Sequence, residues 1–272
     1  MEITLTLFIV IAVVALLCEY IDASIGMGYG TALSPILLIM GFLPLQVVPS
    51  VLLGQLVGGL VGGFFHHRLG NINLDFRQDK AIKKRLHRLG YIPSSLDSKV
   101  ILVLAICGII GAVAAVFFAL NIPTVILKTY IGVMVLVIGI GILIRRNRES
   151  NFSWKGLAAI GLISAFNKGA SGGGYGPLVT GGQIISGREA RSSVGSTTLA
   201  EALVCIVAFI AYVVIKGNIY WTLAAATSIG SVIAAPFAAM TVKKVNTKKL
   251  KFAIGIVTTL LGALTLAKTF VF

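Results

Sequence analysis

Two glycine-rich stretches carry the same short motif, DASIGMGYGTALSP at Asp22–Pro35 and NKGASGGGYGPL at Asn167–Leu178. An offset of 146 positions (172 minus 26) aligns Gly26, Gly28, Tyr29 and Gly30 with Gly172, Gly174, Tyr175 and Gly176. Glycine permits sharp turns and lets backbone N–H groups approach a ligand closely. The motif therefore predicts two equivalent turns in a duplicated chain.

The duplication extends beyond these turns. The same offset aligns Ser50, Leu53 and Gln55 with Ser196, Leu199 and Glu201. After a basic insert at 67–98, which has no counterpart of its own length, IGAVAAVFFA at Ile110–Ala119 matches IGSVIAAPFA at Ile229–Ala238 at six of ten positions. At an offset of 123 positions (262 minus 139), Gly139 aligns with Gly262. We expect two related halves, 1–150 with the insert, and 151–272.

The composition indicates a membrane protein, because 57% of the 272 residues are hydrophobic and 12% are charged. Apolar runs predict ten helical segments, at about 3–21, 28–41, 45–66, 99–120, 124–144, 153–167, 174–186, 190–215, 219–240 and 250–271. Since a crossing takes about 20 residues, the short runs at 28–41, 153–167 and 174–186 are predicted to be half-helices or re-entrant hairpins. Five segments per half would invert the second half relative to the first. The predicted fold is an all-α polytopic membrane protein with two inverted-topology repeats and interrupted helices at the glycine-rich tips.

Basic residues define the predicted orientation. Of the 23 Lys and Arg residues, 19 lie in four stretches, Arg68–Lys99, Arg145–Lys155, Arg188–Arg191 and Lys243–Lys251. The positive-inside rule places these stretches in the cytoplasm and both termini outside, in a multi-pass protein of the cytoplasmic membrane in contact with its lipids. Basic groups between apolar runs do not form a nucleic-acid surface. Within the insert, Phe76–Leu89 fits either an amphipathic helix on anionic headgroups or a solvated loop.

Few side chains suggest catalysis or metal binding. The cysteines, which lie in separate apolar runs and are interpreted as core residues, are Cys18, Cys107 and Cys205. The histidines, which lie at or in the basic insert and offer little for a site, are His66, His67 and His87. Because no His pair, Ser/His arrangement or ligand cluster lies at membrane depth, we predict no enzyme activity, no metal and no cofactor.

The glycine-rich tips are the candidate site for a small anion. A helix that begins at such a tip directs N–H groups and the positive end of its dipole toward the membrane centre. The candidate substrate-binding residues are Gly26, Gly28, Tyr29, Gly30, Asn167, Lys168, Ser171, Gly172, Gly173, Gly174 and Tyr175. In contrast, the glycines interpreted as helix-packing positions are Gly58, Gly59, Gly62 and Gly63.

Charged residues within apolar runs are the candidate coupling groups. A Lys at membrane depth costs about 3 kcal/mol, so Lys168 needs either an ion-pair partner, for which its repeat equivalent Asp22 is the candidate, or an anionic ligand. Glu201 either carries a proton during transport or is a neutral acid that bonds neighbouring threonine hydroxyls. The candidate coupling residues are Glu19, Asp22, Gln55 and Glu201. A rival interpretation is a cation carrier or channel in which the acids are ligands and Lys168 is a gate.

These stretches resemble the sulfite exporter TauE/SafE family of membrane permeases. The resemblance rests on Asp22–Pro35, Asn167–Leu178 and the two-half layout, and it covers nearly the whole chain except the insert. It implies a secondary transporter, usually an exporter, of sulfite, sulfoacetate or another small organosulfonate, by rocking of the halves in alternating access. It also implies a site that involves Asn167, Ser171 and the glycines around the two tyrosines. Met27 interrupts the first glycine triplet, which leaves open how symmetrically the halves contact substrate.

Overall fold

The computed structural model describes residues 3–78, 91–145, 152–242 and 247–270, and within these ranges the chain is almost entirely helical. The helices are α1 (Leu5–Ile25), α2 (Tyr29–Ile39), α3 (Pro44–Arg68), α4 (Leu96–Asn121), α5 (Thr124–Arg145), α6 (Trp154–Ser171), α7 (Tyr175–Ile185), α8 (Ala190–Lys216), α9 (Trp221–Thr241) and α10 (Thr247–Phe270). Each corresponds to one predicted segment. The all-α prediction is confirmed.

The surface of the bundle is that of a membrane protein. Of the described helices, α1, α3, α4, α5, α8 and α9 are each long and apolar enough to cross a bilayer. Large apolar side chains point outward, and Ile110, Val214 and Phe237 are 67%, 75% and 60% exposed. Polar side chains such as Gln55 and Lys168 are fully buried. This distribution suits a hydrocarbon solvent and confirms the multi-pass prediction.

Two helices are too short to cross the membrane. α2 and α7 have eleven residues each and are therefore about 16 Å long, roughly half of the hydrocarbon thickness. Each follows a longer helix through a glycine-rich turn, which gives the hairpins α1–α2 and α6–α7. α6 has 18 residues and is longer than the run predicted at 153–167, because the helix continues through the polar Asn167 and Lys168 to Ser171.

Helices from the two halves of the chain are interleaved. α1 packs along α9, and α4 packs along α6, so both pairs join one half to the other. α3 packs on α8 and α9, α4 also packs on α8, and α5 packs along α10. Each helix of the first half has a counterpart five places further along the chain, as α1 has in α6. When every helix is replaced by its counterpart, the same set of packed pairs results. A duplicated chain with two-fold pseudosymmetry produces such a pattern.

Single contacts also occur in matched pairs. Nε2 of His66 bonds the carbonyl of Ala23 at 3.0 Å. The hydroxyl of Tyr212 donates to the carbonyl of Gly169 at 3.0 Å. Both residues of the second contact lie 146 positions after those of the first (212 minus 66, 169 minus 23). The repeat offset therefore relates side-chain contacts as well as helices.

Contacts within the antiparallel pair α5–α10 are also related by a repeat offset. A Cβ added at Gly139 would lie 2.5 Å from Oγ1 of Thr259, and one added at Gly262 would lie 2.5 Å from the amide nitrogen of Leu136. Gly262 and Thr259 lie 123 positions after Gly139 and Leu136 (262 minus 139, 259 minus 136), so the two contacts are repeat equivalents of each other. Glycine at both places lets the helices approach closely.

The glycines of α3 are packing positions, as predicted. A Cβ at Gly59 would lie 2.9 Å from Cβ of Ala202 on α8, and a Cβ at Gly63 would lie 2.8 Å from Cδ1 of Leu199. On the side of α9, a Cβ at Gly58 would lie 1.8 Å from Oγ of Ser231. These small residues let α3 contact α8 and α9.

Basic stretches from different parts of the chain meet at one end of the bundle. Arg188, in the loop before α8, pairs with Asp97 at the start of α4. Asn71, just after α3, donates to a backbone carbonyl near the end of α9 at 2.9 Å. Lys216, at the end of α8, instead donates to a carbonyl near the start of α3. The side of the membrane on which each end lies stays a prediction.

The basic insert begins and ends in a small sheet. Strand β1 (Phe76–Gln78) pairs antiparallel with β2 (Tyr91–Pro93). The interpretation of Phe76–Leu89 as a helix is wrong for its first three residues, because their backbone groups bond the returning strand. The rest of that segment lies outside the described residues.

Candidate functional site

Each glycine-rich tip is a turn that glycine forms without strain. α1 ends at Gly26 with φ of 73°, and φ is 146° at Gly28 just before α2. α6 ends at Gly172 with φ of 76°, and φ is 80° at Gly174 just before α7. A left-handed backbone costs a residue with a Cβ about 1–2 kcal/mol. The predicted pair of equivalent turns is present.

The two tips contact each other through their backbones. A Cβ at Gly30 would lie 1.6 Å from the carbonyl oxygen of Gly172, and a Cβ at Gly176 would lie 2.5 Å from that of Gly26. Gly176 is the repeat equivalent of Gly30, and Gly172 that of Gly26, so the two contacts are equivalent. Gly173 also lies in this contact, since its added Cβ would lie 2.6 Å from the carbonyl oxygen of Gly30. The tips therefore meet inside the bundle.

A carboxylate of the protein occupies the start of α2. Asp22, in the last turn of α1, accepts a hydrogen bond from the amide of Tyr29 through Oδ1 at 3.2 Å. Its Oδ2 accepts from Nε2 of Gln55 at 3.1 Å. Because the first amides of a helix and its dipole are positive, an acid is stabilised there. Asp22 acts as an internal anion for this half-helix.

Lys168, the repeat equivalent of Asp22, makes an ion pair within its own half. Its Nζ lies 2.7 Å from Oε1 of Glu201 and donates to Oε1 of Gln55 at 3.5 Å. Lys168 is 0% and Glu201 3% exposed. The partner of Lys168 is therefore Glu201 and not the predicted Asp22, because Asp22 already bonds Tyr29 and Gln55.

Glu201 does not bond the threonine hydroxyls one turn before it. Oγ1 of Thr197 accepts from Nε2 of Gln183 at 2.9 Å. Oγ1 of Thr198 donates to the carbonyl of Val194 at 3.0 Å. The alternative of a neutral Glu201 held by hydroxyls is wrong, because both hydroxyls have other partners and a lysine lies beside the acid.

A continuous chain of bonds connects the two halves at the centre. It runs from the Tyr29 amide through Asp22, Gln55 and Lys168 to Glu201. The Gln55 amide donates to the acid on one side and accepts from the ammonium on the other. The donors and acceptors alternate consistently with two ionised acids and one charged lysine.

Glu19 lies one turn before Asp22 and has a different environment. It is fully buried, and neither carboxyl oxygen has a hydrogen-bond partner among the described residues. Its Oε1 would lie 3.1 Å from a Cβ added at Gly58. An ionised carboxylate without a partner is very costly in such a place.

The start of α7 lacks the carboxylate found at the start of α2. Lys168 takes the place of Asp22, and Gly174, the residue before α7, has no side chain that could cap the helix. The Tyr175 amide has no hydrogen bond to a side chain in the described part of the chain. The Tyr175 hydroxyl is buried and likewise has no partner within the described ranges. A helix start without a carboxylate can attract an anion.

Asn167 and Ser171 support the second tip. The hydroxyl of Ser171 donates to the carbonyl of Asn167 at 2.7 Å and accepts from the amide of Gly173 at 3.0 Å. Oδ1 of Asn167 accepts from the hydroxyl of Tyr130 at 2.6 Å. These bonds hold the turn against α5. Tyr130 and Thr31, whose Oγ1 accepts from the Gly174 amide at 3.1 Å, were absent from the predicted site.

His66 has a larger structural role than the sequence suggests. It is 0% exposed, bonds the Ala23 carbonyl behind the first tip, and accepts through Nδ1 from Nδ2 of Asn71 at 3.1 Å. Its place beside a basic loop concealed this burial. The repeat alignment places His66 at the position of Tyr212, which lies in an apolar run. This equivalence could have indicated that His66 is buried.

Arg188 and Asp97 form a second buried ion pair away from the tips. Arg188 bonds Asp97 and Gln183, and donates to Oγ of Ser196 at 3.3 Å. Burial lowers the pKa of Arg188, and the neighbouring Asp97 acts in the opposite direction. This network joins the starts of α4 and α8. Sequence reasoning missed it because the partners are 91 positions apart.

The described residues offer little for metal chemistry. Among residues 3–78, 91–145, 152–242 and 247–270, no group of three or more His, Cys, Asp or Glu side chains is arranged to hold a metal ion. Cys18 and Cys205 are free and buried, and Cys107 is free and partly buried. The cysteines are packing residues, as predicted.

Comparisons with known proteins agree with this architecture. The family model described as "Sulfite exporter TauE/SafE" matches residues 89–265. The chain is also similar to "Probable membrane transporter protein YtnM" of Bacillus subtilis (strain 168), with 27% identity over 272 aligned residues that cover 95% of this chain and 82% of the relative. No solved structure gives a significant match.

Proposed function

Because this chain belongs to the sulfite exporter TauE/SafE family of membrane transporters, we propose that it is a permease that carries a small oxyanion or sulfonate across the membrane by alternating access. The family consists of transporters, which agrees with the prediction that the chain is not an enzyme. The family description names sulfite, we extend the proposal to sulfoacetate and related organosulfonates, which carry a similar oxyanion group, and export is the proposed direction.

The difference between the two half-helix starts carries this proposal. At the start of α2, the carboxylate of Asp22 accepts the Tyr29 amide. At the equivalent place before α7 the chain has Lys168, which is fully buried. The first half-helix therefore binds an anion that belongs to the protein. The second half-helix has a positive end and is preceded by a positive side chain, so a free anion can bind there.

The chemistry of a sulfonate or sulfite group suits this arrangement. Its oxygens accept several hydrogen bonds at once, and the backbone N–H groups at a helix start converge on one point. Glycine at positions 172–174 lets this backbone pack against Ser34, Gly30 and Met134, so an anion reaches it when the tips separate. Lys168 supplies charge, while Glu201, at 2.7 Å, keeps the lysine ionised when no anion is bound.

The packing supports an occluded state and limits how access changes. Glu19, Gln55, Lys168 and Tyr175 are each 0% exposed. Rocking of entire inverted halves would separate α1 from α9 and α4 from α6, which pack extensively. α5 and α10 contact mainly each other, with smaller contacts to α2, α6 and α7. We therefore propose that the α5–α10 pair and the tips move against the other long helices, with basic loops cytoplasmic and both termini outside.

A cation carrier is the second candidate, and the acids of the cluster favour it. Glu19, Asp22 and Glu201 are all buried near one lysine. In that mechanism the acids bind the transported ion and Lys168 competes with it. The two candidates differ in what the lysine does, and charge reversal at Lys168 separates them.

The test uses purified full-length protein in liposomes with sulfite, sulfate, thiosulfate, sulfoacetate and acetate, under imposed voltage and pH gradients. We expect saturable flux of a sulfur oxyanion or sulfonate above that of acetate. Lys168→Glu should reduce anion flux at least tenfold, because it replaces the attracting charge with a repelling one. A cation carrier would keep or increase its cation flux in this variant.

Lys155→Glu is the matched control, because Lys155 is an exposed lysine on the same helix. Lys168→Glu leaves Glu201 unpaired and removes a buried ion pair, which costs about 3–5 kcal/mol. Lys168→Gln combined with Glu201→Gln removes both charges together. Because no buried charge is left unpaired, we expect this double variant to fold. Wild-type anion flux in that monodisperse double variant would refute the anion site.

A further inference from the structure

We propose that Glu19 is the proton-binding site of this transporter and that its proton binds and leaves together with the transported anion. The proposal concerns α1, opposite the anion site at α7. It deepens the proposed function and rests on it only for the transport measurement. The step is the binding of one proton by the Glu19 carboxylate to give the neutral acid, followed by its release on the other side.

The bonds of the central chain leave Glu19 as the acid without a counter-charge. Lys168 is 2.7 Å from Glu201, so these two side chains neutralise each other. Both oxygens of Asp22 accept N–H donors, which stabilises its ionised form. Among the described residues Glu19 has no ion-pair partner and accepts no bond from an N–H group, and the hydroxyl of Ser231 is the donor that faces it. A proton is the smallest ligand that removes its charge.

The surroundings of Glu19 are built for a carboxyl group without a large ligand. A Cβ at Gly58 would lie 3.1 Å from Oε1 of Glu19 and 1.8 Å from Oγ of Ser231. Ser231 is fully buried, and its hydroxyl faces the carboxyl group of Glu19. The absent side chain at position 58 gives the acid and the hydroxyl the space that a Cβ would fill.

The charged and titratable groups around Glu19 come from four helices. On α1 itself these groups are Asp22 and Cys18, on α2 Tyr29, on α6 Lys168, and on α8 Glu201 and Cys205. From α3 and α9 the neighbours are the polar Gln55 and Ser231 and the glycine at 58. The acids outnumber the single lysine, so a neutral Glu19 reduces the repulsion within the cluster.

Coupling follows from the same charges. An anion beside Lys168 adds negative charge to the cluster and therefore favours the proton on Glu19. By linkage, the proton on Glu19 strengthens anion binding by the same factor. Proton and anion then move together in one direction. Net flux follows the sum of the two gradients, so the anion is exported with a proton when its outward gradient exceeds any opposing proton gradient.

The first experiment needs no substrate. Infrared difference spectra of the full-length protein in lipid, in normal and heavy water, report protonated carboxyl groups. We expect one protonated-carboxyl band at neutral pH that disappears in Glu19→Gln and shifts, without disappearing, in Glu19→Asp. Glu189→Gln is the control, because Glu189 is an exposed acid with a side chain 56% exposed, and it should leave the band unchanged.

The second experiment measures coupling with sulfoacetate as the probe. Proteoliposomes with the voltage clamped at zero are given a gradient of one pH unit. One coupled proton would raise sulfoacetate accumulation about tenfold. We expect this ratio to fall to about one in Glu19→Gln and to be retained in Glu19→Asp, because only the second variant keeps an acid.

The outcomes separate this proposal from the proposed function. A band that persists in Glu19→Gln, or no protonated band in the wild type, overturns the Glu19 site whatever the substrate is. Dependence of accumulation on a sodium gradient instead of the proton gradient overturns it as well. Absence of sulfoacetate flux with the infrared band intact contradicts the substrate class and leaves the proton site supported.

Discussion

The two halves of this protein place equivalent side chains in equivalent positions and give them different charges. In the first half, Asp22 accepts a bond from Gln55 at 3.1 Å. In the second, Lys168 pairs with Glu201 at 2.7 Å. Each contact is the repeat image of the other, since both partners shift by 146 positions (168 minus 22, 201 minus 55). The geometry is duplicated, while the electrostatics are not.

This difference shows how a duplicated scaffold can acquire one site. With an acid behind both tips, both half-helices would be capped and neither would need a ligand. With a lysine behind both, two uncompensated positive centres would meet inside the membrane at high cost. With one acid and one lysine, one helix start bonds a carboxylate of the protein and the other does not. The three sets of substitutions that follow compare the two halves.

Substitutions in the tip contact should have the largest effect on stability. Gly30→Ala places a Cβ 1.6 Å from a backbone oxygen, and Gly176→Ala places one 2.5 Å from the equivalent oxygen. Backbone cannot move aside as a side chain can, so we expect a loss of about 3 kcal/mol or more for Gly30→Ala and about 1–3 kcal/mol for Gly176→Ala. Thermal unfolding in lipid nanodiscs measures both.

Gly181→Ala is the control for the tip contact, because nothing lies within 4 Å of its added Cβ. It should stabilise α7 by about 0.5–1 kcal/mol. Equal destabilisation by all three alanines would show that helix flexibility, and not the tip contact, determines the effect.

Removal of the internal anion should have an intermediate effect. Asp22→Ala deletes the acceptor of the Tyr29 and Gln55 bonds, and bonds to charged groups contribute about 1.5–3 kcal/mol each. The emptied start of α2 should then bind a small free anion. We expect formate to restore part of the lost Tm in this variant and to leave Glu189→Ala unchanged. No response to formate would contradict the role of Asp22 as an internal anion.

The smallest effect is expected behind the tips. Tyr212→Phe removes one hydrogen bond to the Gly169 carbonyl, which costs about 0.5–1.5 kcal/mol. His66→Phe removes the equivalent bond and also leaves Asn71 without its bond to Nδ1, so it should cost more. Chemical unfolding compares the pair. A larger loss for Tyr212→Phe would indicate that the two contacts are not equivalent.

Much of the fold follows from the sequence alone, because hydrocarbon imposes simple rules. Apolar run length predicted all ten helices found in the described ranges, and the glycine pattern predicted both turns. α6 extends further than expected, because Asn167 and Lys168 have the polarity of a helix end but find partners in Tyr130 and Glu201. Polarity marks where a helix contacts polar groups, and such contacts occur inside this bundle as well as at its surface.

Side-chain partners were less predictable. The repeat alignment related Asp22 to Lys168 and Gln55 to Glu201, but it did not reveal that Lys168 bonds across to Gln55 at 3.5 Å. That contact depends on the distance between hairpins that are remote in the chain. The ion pair of Arg188 with Asp97 depends likewise on how loops converge after folding.

The interleaving of α1 with α9 constrains how this protein is made. α1 carries Glu19 and Asp22 into the membrane, while Lys168 is translated 146 residues after Asp22 (168 minus 22), roughly 7–30 s later at ordinary ribosome speeds. Throughout that interval the first helix holds acids without their lysine and lacks the helix along which it packs. A half-length chain is thus not an assembly unit, and insertion of the nascent chain must shelter its earliest helix until the last ones emerge.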